Sequence, residues 1–209
     1  MPVYEGSKSP YRTGGRLADR YHLNNYVLKR QVWRFFGSGA HIYGPNGELL
    51  FFVDRKAFKL KDDIRVYLDE SMTTELMSIN ARQLLDFLGT FDVTDTTTGL
   101  LVGTLQRQNI VSAFRDSWVI KDSFGNPTGT VIEDSLALAL IRDFLFAFIP
   151  RSFHVDHRGM NVAVFRHQLT FFGYVLHMDL APDVSDFDPR LGLAAGIIIA
   201  LVESRRKRG

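Results

Sequence analysis

The feature that most constrains this chain is its last apolar run, residues 191–202, which contains no charged side chain. It follows Asp188, a favourable N-cap residue, and Pro189, which suits the first helical position because its φ is fixed and that amide needs no partner. The sequence therefore predicts a helix that begins at Pro189. Its apolar residues face every direction around the axis, so the helix must be buried, either in protein or in lipid.

Length and charge favour burial in protein. The run is about a dozen residues long, whereas a helix needs roughly 20 to span the hydrocarbon of a bilayer. A C-terminal anchor would also have to carry the basic residues 205–208 across the membrane, although these cations suit a helix C-terminus. Gly192, Gly196 and Ala200 form a stripe of small residues, which predicts clearance for surrounding backbone. We therefore predict a buried helix and no transmembrane span.

Short strands and turns alternate over residues 25–179. A Pro-Asn-Gly turn at residues 45–47 separates two β-rich runs, which is a hairpin signal. Apolar residues at period two, such as Leu176 and Met178, recur along the chain between turns such as residues 95–99. The pattern predicts about a dozen antiparallel strands.

A sheet of this length tends to close, because closure removes its unpaired edges. A barrel of about twelve strands is wider than the roughly eight-stranded barrels that side chains alone can fill, and a helix is about 10 Å across. We therefore predict a mainly β fold, a closed antiparallel barrel around the hydrophobic C-terminal helix. One outer helix is also predicted at residues 136–148, capped by Asp134 or Ser135 and ended by Pro150.

Composition predicts one globular domain: the chain has 209 residues, is 45% hydrophobic and carries a formal charge of +2. We expect a flexible basic arm at 1–23, the barrel at 24–203 and a basic tail at 204–209. The chain has no cysteine, which excludes disulfides and thiolate metal sites. No apolar leader is visible, so we expect a cytoplasmic protein and leave peripheral membrane association open. The small net charge disfavours nucleic acid as a partner.

Several of these features resemble the tubby C-terminal-like superfamily, which includes tubby domains, phospholipid scramblases and LURP-one-related proteins. The resemblance covers roughly residues 24–202. It is carried by three hairpins, the helix before Pro150 and the final helix, at residues 42–49, 93–100, 119–126, 136–148 and 186–199. It implies a twelve-stranded barrel around a central hydrophobic helix. Tubby domains bind phosphoinositides through Lys and Arg, whereas many LURP-one-related members have no assigned activity.

The resemblance implies a non-enzymatic binding module for membrane surfaces that carry anionic phospholipids or phosphoinositides. The candidate lipid-binding residues are Arg55, Lys56, Lys59 and Lys61. Each basic residue near an anionic surface contributes about 1 kcal/mol. Their alternation with Phe58 and Leu60 is equally typical of an ordinary half-buried strand. The alternative function is a protein-interaction or scaffold module that uses the barrel loops and the basic termini.

No catalytic motif is present, and we predict no catalytic residue, metal or cofactor. His154 and His157 lack an evident third ligand, and we interpret His157 as a solvated turn residue. Asp183, Asp186 and Asp188 resemble the acidic segment before the final helix of scramblases. They lack the turn Gly and bidentate Glu of an EF-hand, so calcium binding there is left open.

Overall fold

In the computed structural model, twelve strands follow one another along the chain, and each pairs antiparallel with the next. The structure describes residues 17–31, 38–55, 63–82, 89–108, 117–134, 151–170, 173–181, 184 and 186–203. The strands are β1 Asn25–Gln31, β2 Ser38–Tyr43, β3 Leu49–Arg55, β4 Asp63–Tyr67, β5 Glu75–Ala81, β6 Thr90–Asp95, β7 Leu100–Arg107, β8 Ser117–Asp122, β9 Pro127–Glu133, β10 Ser152–His157, β11 Met160–Thr170 and β12 Gly173–Leu180. β1 also pairs with β12, so the sheet closes into a barrel. The predicted fold class is confirmed.

Strand alternation decides which side chains fill the barrel. Successive residues of a strand point to opposite faces of the sheet, and β12 alternates half-buried and buried residues along its whole length. Its buried members are Tyr174, Leu176, Met178 and Leu180. The apolar residues that the period-two pattern selects therefore point into the barrel.

The predicted central helix is confirmed. Helix α1, Pro189–Ile198, continues as a π-helical turn, Ile199–Glu203. The Asp188 carboxylate accepts a hydrogen bond from the Arg190 amide at 3.0 Å, which caps the first turn. Residues 191–201 are all buried, and the helix contacts β7 and β12 most closely.

Small residues let the helix approach the wall. A Cβ added to Gly196 would lie 2.2 Å from the Met178 sulfur, and one added to Gly192 would lie 3.1 Å from Leu180. On the wall, a Cβ at Gly103 would lie 2.3 Å from the Lys121 carbonyl oxygen. The stripe of small residues therefore leaves room for the strands that pack against the helix, as the sequence predicted.

Tight turns join the strands at the end where α1 begins. Each of five hairpins shows a shift in pairing register close to its turn, and such bulges increase the local twist that a closed sheet needs. We call this end the hairpin end. It comprises residues 17–22, 44–48, 68–74, 95–101, 122–126, 157–160 and 186–190.

A 3-10 helix, Leu17–Tyr21, lies at the hairpin end. The Tyr21 ring stacks on Phe51 with centroids 5.1 Å apart, and the Tyr26 hydroxyl donates to the Arg20 carbonyl at 2.9 Å. Burial is the main cause that raises the pKa of Tyr21 to about 12. The predicted outer helix at 136–148 and the tail at 204–209 lie outside the described residues, and the domain boundaries stay a prediction.

Candidate functional site

The opposite end of the barrel carries arginines that point inwards. Arg30 follows Leu28 on the inner face of β1, and Arg55 follows Val53 on the inner face of β3. Both arginines are less than 10% exposed. The same alternation places Arg107 at the inner end of β7. Buried cations need hydrogen-bond partners, and all three arginines interact with other groups of the protein.

Arg55 binds the end of the central helix. Its Nη1 donates to the carbonyl oxygen of Leu201 at 2.6 Å. The last carbonyls of a helix have no partner within it and carry partial negative charge, so a cation there is favourable. Of the four candidate lipid-binding residues, Arg55 thus lies inside the barrel, and the three lysines lie outside the described residues. Their role in lipid binding stays a prediction.

Arg151 pairs with a carboxylate and lies near a histidine at the same end of the barrel. It donates to both oxygens of Glu133 at 2.8 and 2.7 Å. The His167 ring stacks on the Tyr174 ring, with centroids 4.1 Å apart. The Arg30 guanidinium lies 5.3 Å from the centroid of the Tyr174 ring. Burial, followed by the charges of Arg151 and Arg30, lowers the pKa of His167 to about 4. The ring is therefore neutral at neutral pH, and the arginines carry the positive charge.

We call this end the basic end and define it by Arg30, Arg55, Arg107 and Arg151. Two basic stretches of sequence are attached to the barrel here. The chain runs from Arg55 into the stretch that contains Lys56, Lys59 and Lys61. It also runs from the last turn of α1 into residues 204–208, four of which are basic. Both stretches lie outside the described residues, but their points of attachment are fixed by β3 and by the helix.

The hairpin end contains a cleft of about 500 Å³. Arg190 crosses it and donates to Asp95 at 2.6 Å and to Asp188 at 2.6 Å. Burial raises the pKa of Asp95, but hydrogen bonds from Thr97 and Thr98 and the charge of Arg190 outweigh it, so this pKa lies below its ordinary value. The side chains that line the cleft include Leu17, Tyr21, Leu76, Asp95, Pro189 and Arg190.

Comparison with known families identifies the barrel. The model of the LURP-one-related family matches residues 24–200. The chain belongs to this family. The family is part of the tubby-like superfamily, so the resemblance drawn from the hairpins and the final helix is confirmed. No curated protein matches the chain.

One histidine of this LURP-one-related barrel is placed differently from our prediction. His157 is the last residue of β10 and is fully buried, with its ring 5.2 Å from that of Phe187. Neither ring nitrogen has a hydrogen-bond partner, and the nearby Thr128 carbonyl already accepts the Arg158 amide. Burial is the main cause that lowers the pKa of His157. The interpretation of His157 as a solvated turn residue was wrong, because the turn begins one residue later.

The aspartates before α1 have structural partners. Asp188 caps the helix, and Asp186 accepts from Arg158 at 2.9 Å, whereas Asp183 lies outside the described residues. Within the described residues, no group of three or more His, Cys, Asp or Glu side chains is placed to hold a metal ion. No helix in the described part of this LURP-one-related chain has the length and apolar character that crossing a bilayer requires.

Our sequence reading missed most of the inward-facing arginines. The signal was present, because Arg30, Arg55 and Arg107 each end a period-two series whose other members are core residues such as Leu28 and Val53. An arginine at a position that alternation assigns to the core face is rare in ordinary strands, since charged side chains are seldom buried. The alternation pattern therefore identifies these inward-facing arginines more clearly than local charge density does.

Proposed function

We propose that this LURP-one-related barrel is a non-enzymatic binding module whose basic end associates with membrane surfaces that carry anionic phospholipids or phosphoinositides. The observation that carries the proposal is the shared location of the positive charge. The inner arginines lie at one end, and the two basic stretches of sequence follow Arg55 and Glu203, which lie at the same end. Cations that share one end can face the same surface.

The expected interaction is weak and salt-sensitive. Three lysines near an anionic leaflet contribute about 1 kcal/mol each, and their attraction is screened beyond about 10 Å at 0.1 M salt. Arg55 itself is a support for the helix, so Lys56, Lys59 and Lys61 are the contact residues that we propose.

Vesicle flotation tests the proposal. The full chain is mixed with vesicles of phosphatidylcholine alone, or of phosphatidylcholine with phosphatidylserine or phosphatidylinositol bisphosphate, at low and at high salt. We expect flotation with the anionic vesicles at low salt and its loss at high salt. Absence of flotation at low salt would contradict the proposal.

A matched pair of variants locates the contact. Lys59→Glu with Lys61→Glu reverses two charges next to the basic end, whereas Lys121→Glu with Arg158→Glu reverses two charges at and next to the hairpin end. We expect only the first pair to abolish flotation. Equal loss in both pairs would show that net charge, rather than the basic end, drives the association.

A further inference from the structure

Large apolar side chains are exposed at the hairpin end. Six large apolar residues of the described chain are exposed there. Phe124 is 89% exposed and Leu100 is 68% exposed. Single exposed apolar residues are ordinary on a protein surface, but a group on one surface marks an interaction site. The residues are Leu17, Met72, Leu100, Leu101, Phe124 and Met160.

These side chains stand on neighbouring hairpins. Met72, Leu100, Phe124 and Met160 belong to the turns β4–β5, β6–β7, β8–β9 and β10–β11, which are consecutive around the barrel. Adjacent strands are about 4.8 Å apart, so successive turns are separated by roughly 10 Å. The four side chains therefore form an arc along the rim.

Three of the turns that carry them are held by their own aspartates. The Asp122 carboxylate accepts the amides of Phe124 and Asn126 at 2.9 and 2.8 Å. Asp95 accepts the Thr97 amide at 2.8 Å, and Asp69 holds the β4–β5 turn in the same way through the Ser71 amide. Because the turns are fixed before binding, little conformational entropy is lost when a partner covers them.

The surface is acidic. The described residues of the hairpin end contain eight carboxylates and only three arginines. The carboxylates are Asp19, Glu48, Asp69, Glu70, Asp95, Asp122, Asp186 and Asp188, and the arginines are Arg20, Arg158 and Arg190. An anionic bilayer would be repelled by this excess of negative charge, whereas a basic partner would be attracted.

We propose that the hairpin end docks a basic, apolar segment of a partner protein, with its apolar side chains against the arc and in the cleft and its cations facing the carboxylates. The cleft lies between Leu17 and the β6–β7 turn and contains Tyr21, Leu76 and Pro189. It offers an apolar anchor site, and Asp95 and Asp188, which share the single cation of Arg190, leave one net negative charge at its edge. The interaction is separate from membrane association, which uses the other end of the barrel.

Fluorescence anisotropy tests the proposal with a defined probe. The probe is a labelled amphipathic peptide of leucine and lysine, and the control peptide has glutamate in place of lysine. The full chain is expected to bind the Leu–Lys peptide at low salt more tightly than at high salt, and not to bind the Leu–Glu peptide. Equal binding of both peptides would overturn the proposal.

Variants separate docking from general attraction. The triple variant Met72→Ser, Leu100→Ser and Phe124→Ser keeps every charge, and we expect it to bind the Leu–Lys peptide roughly tenfold more weakly. The charge-reversal pair Lys59→Glu and Lys61→Glu should bind as the parent does. An unchanged affinity of the triple variant, with an unchanged melting temperature, would refute docking at the arc.

The same triple variant distinguishes a membrane from a protein partner. Flotation of the parent with uncharged phosphatidylcholine vesicles, lost in the triple variant, would show that the arc inserts into bilayers and would overturn the proposal. Failure of flotation with anionic vesicles would contradict only the function proposed for the basic end. The two proposals can therefore fail independently.

Discussion

The two ends of this barrel invert the usual distribution of side chains in opposite ways. At the basic end, charged residues such as Arg30 and Arg55 point inwards and are buried. At the hairpin end, apolar residues such as Leu100 and Phe124 point outwards and are exposed. The first inversion is compensated by hydrogen bonds to the protein itself, whereas the second has no partner within the described chain. The comparison suggests that buried charge here supports the fold and exposed apolar surface is available for binding.

The polarity of the central helix matches the charges at the two ends. Its N-terminus carries partial positive charge and lies beside Asp188 and Asp95, and its C-terminus carries partial negative charge and lies beside Arg55. The polarity of one helix therefore matches an acidic end and a basic end of the same barrel. Four predictions test this comparison.

Removal of the helix should have the largest effect, because both ends depend on it. A chain that stops before Asp188 loses the helix whose residues 191–201 are all buried inside the barrel. We expect loss of the near-ultraviolet circular dichroism signal and of a cooperative thermal transition. A truncated chain that still folds would show that the barrel is stable without its central helix.

Substitution of one arginine at each end of the barrel compares the structural roles of the two arginines directly. Arg55→Met should lower the free energy of unfolding by about 2–3 kcal/mol, because it leaves a buried helix carbonyl without its donor. Arg190→Met should cost about 1 kcal/mol, since its ion pairs with Asp95 and Asp188 are partly solvated. Urea denaturation measures both. Equal losses would contradict the distinction between the ends.

The half-buried His167 at the basic end should make stability depend on pH. In the folded protein the pKa of His167 is lowered from 6.5 to about 4, so between these values the unfolded chain binds more protons. Stability should therefore be complete above pH 6.5 and fall as pH decreases towards 4, by up to about 1.4 kcal/mol per pH unit from this residue. His167→Phe keeps the stack on Tyr174 and should reduce the slope. An identical slope of stability against pH in both proteins would show that other groups cause the pH dependence.

The smallest effect on stability is expected at the arc. Phe124→Ser changes a side chain that is 89% exposed, so the free energy of unfolding should change by no more than about 0.5 kcal/mol. The same substitution should weaken binding of the Leu–Lys peptide. A clear loss of thermal stability would show that Phe124 supports the fold and would remove the contrast between the ends.

The sequence predicted the barrel and its helix because both depend on patterns that act over short distances. Period-two alternation selects the inner face of each strand, and the cap at Asp188 and Pro189 selects the start of α1. The uniform apolar character of the helix then requires a buried location. These features need no knowledge of distant contacts.

Side-chain partners could not be predicted in this way. Arg55 is separated from Leu201 by 146 positions in the chain, and a local basic run gives no sign of such a contact. His157 was misplaced because a shift of one residue at a turn moves a side chain from solvent to the core. The exposure of Phe124 likewise follows from the turn geometry that Asp122 sets, not from hydrophobicity.

The route of the chain through its own barrel has a consequence for biosynthesis. β1 pairs with β12 across 154 positions, between Asn25 and Asp179, and the helix that fills the centre follows β12. The barrel therefore cannot be completed around its core until the C-terminal residues have been synthesised. A high share of sequence-distant contacts slows folding and exposes partly folded chains to aggregation. Nascent chains that still lack β12 and α1 should therefore expose apolar strand faces.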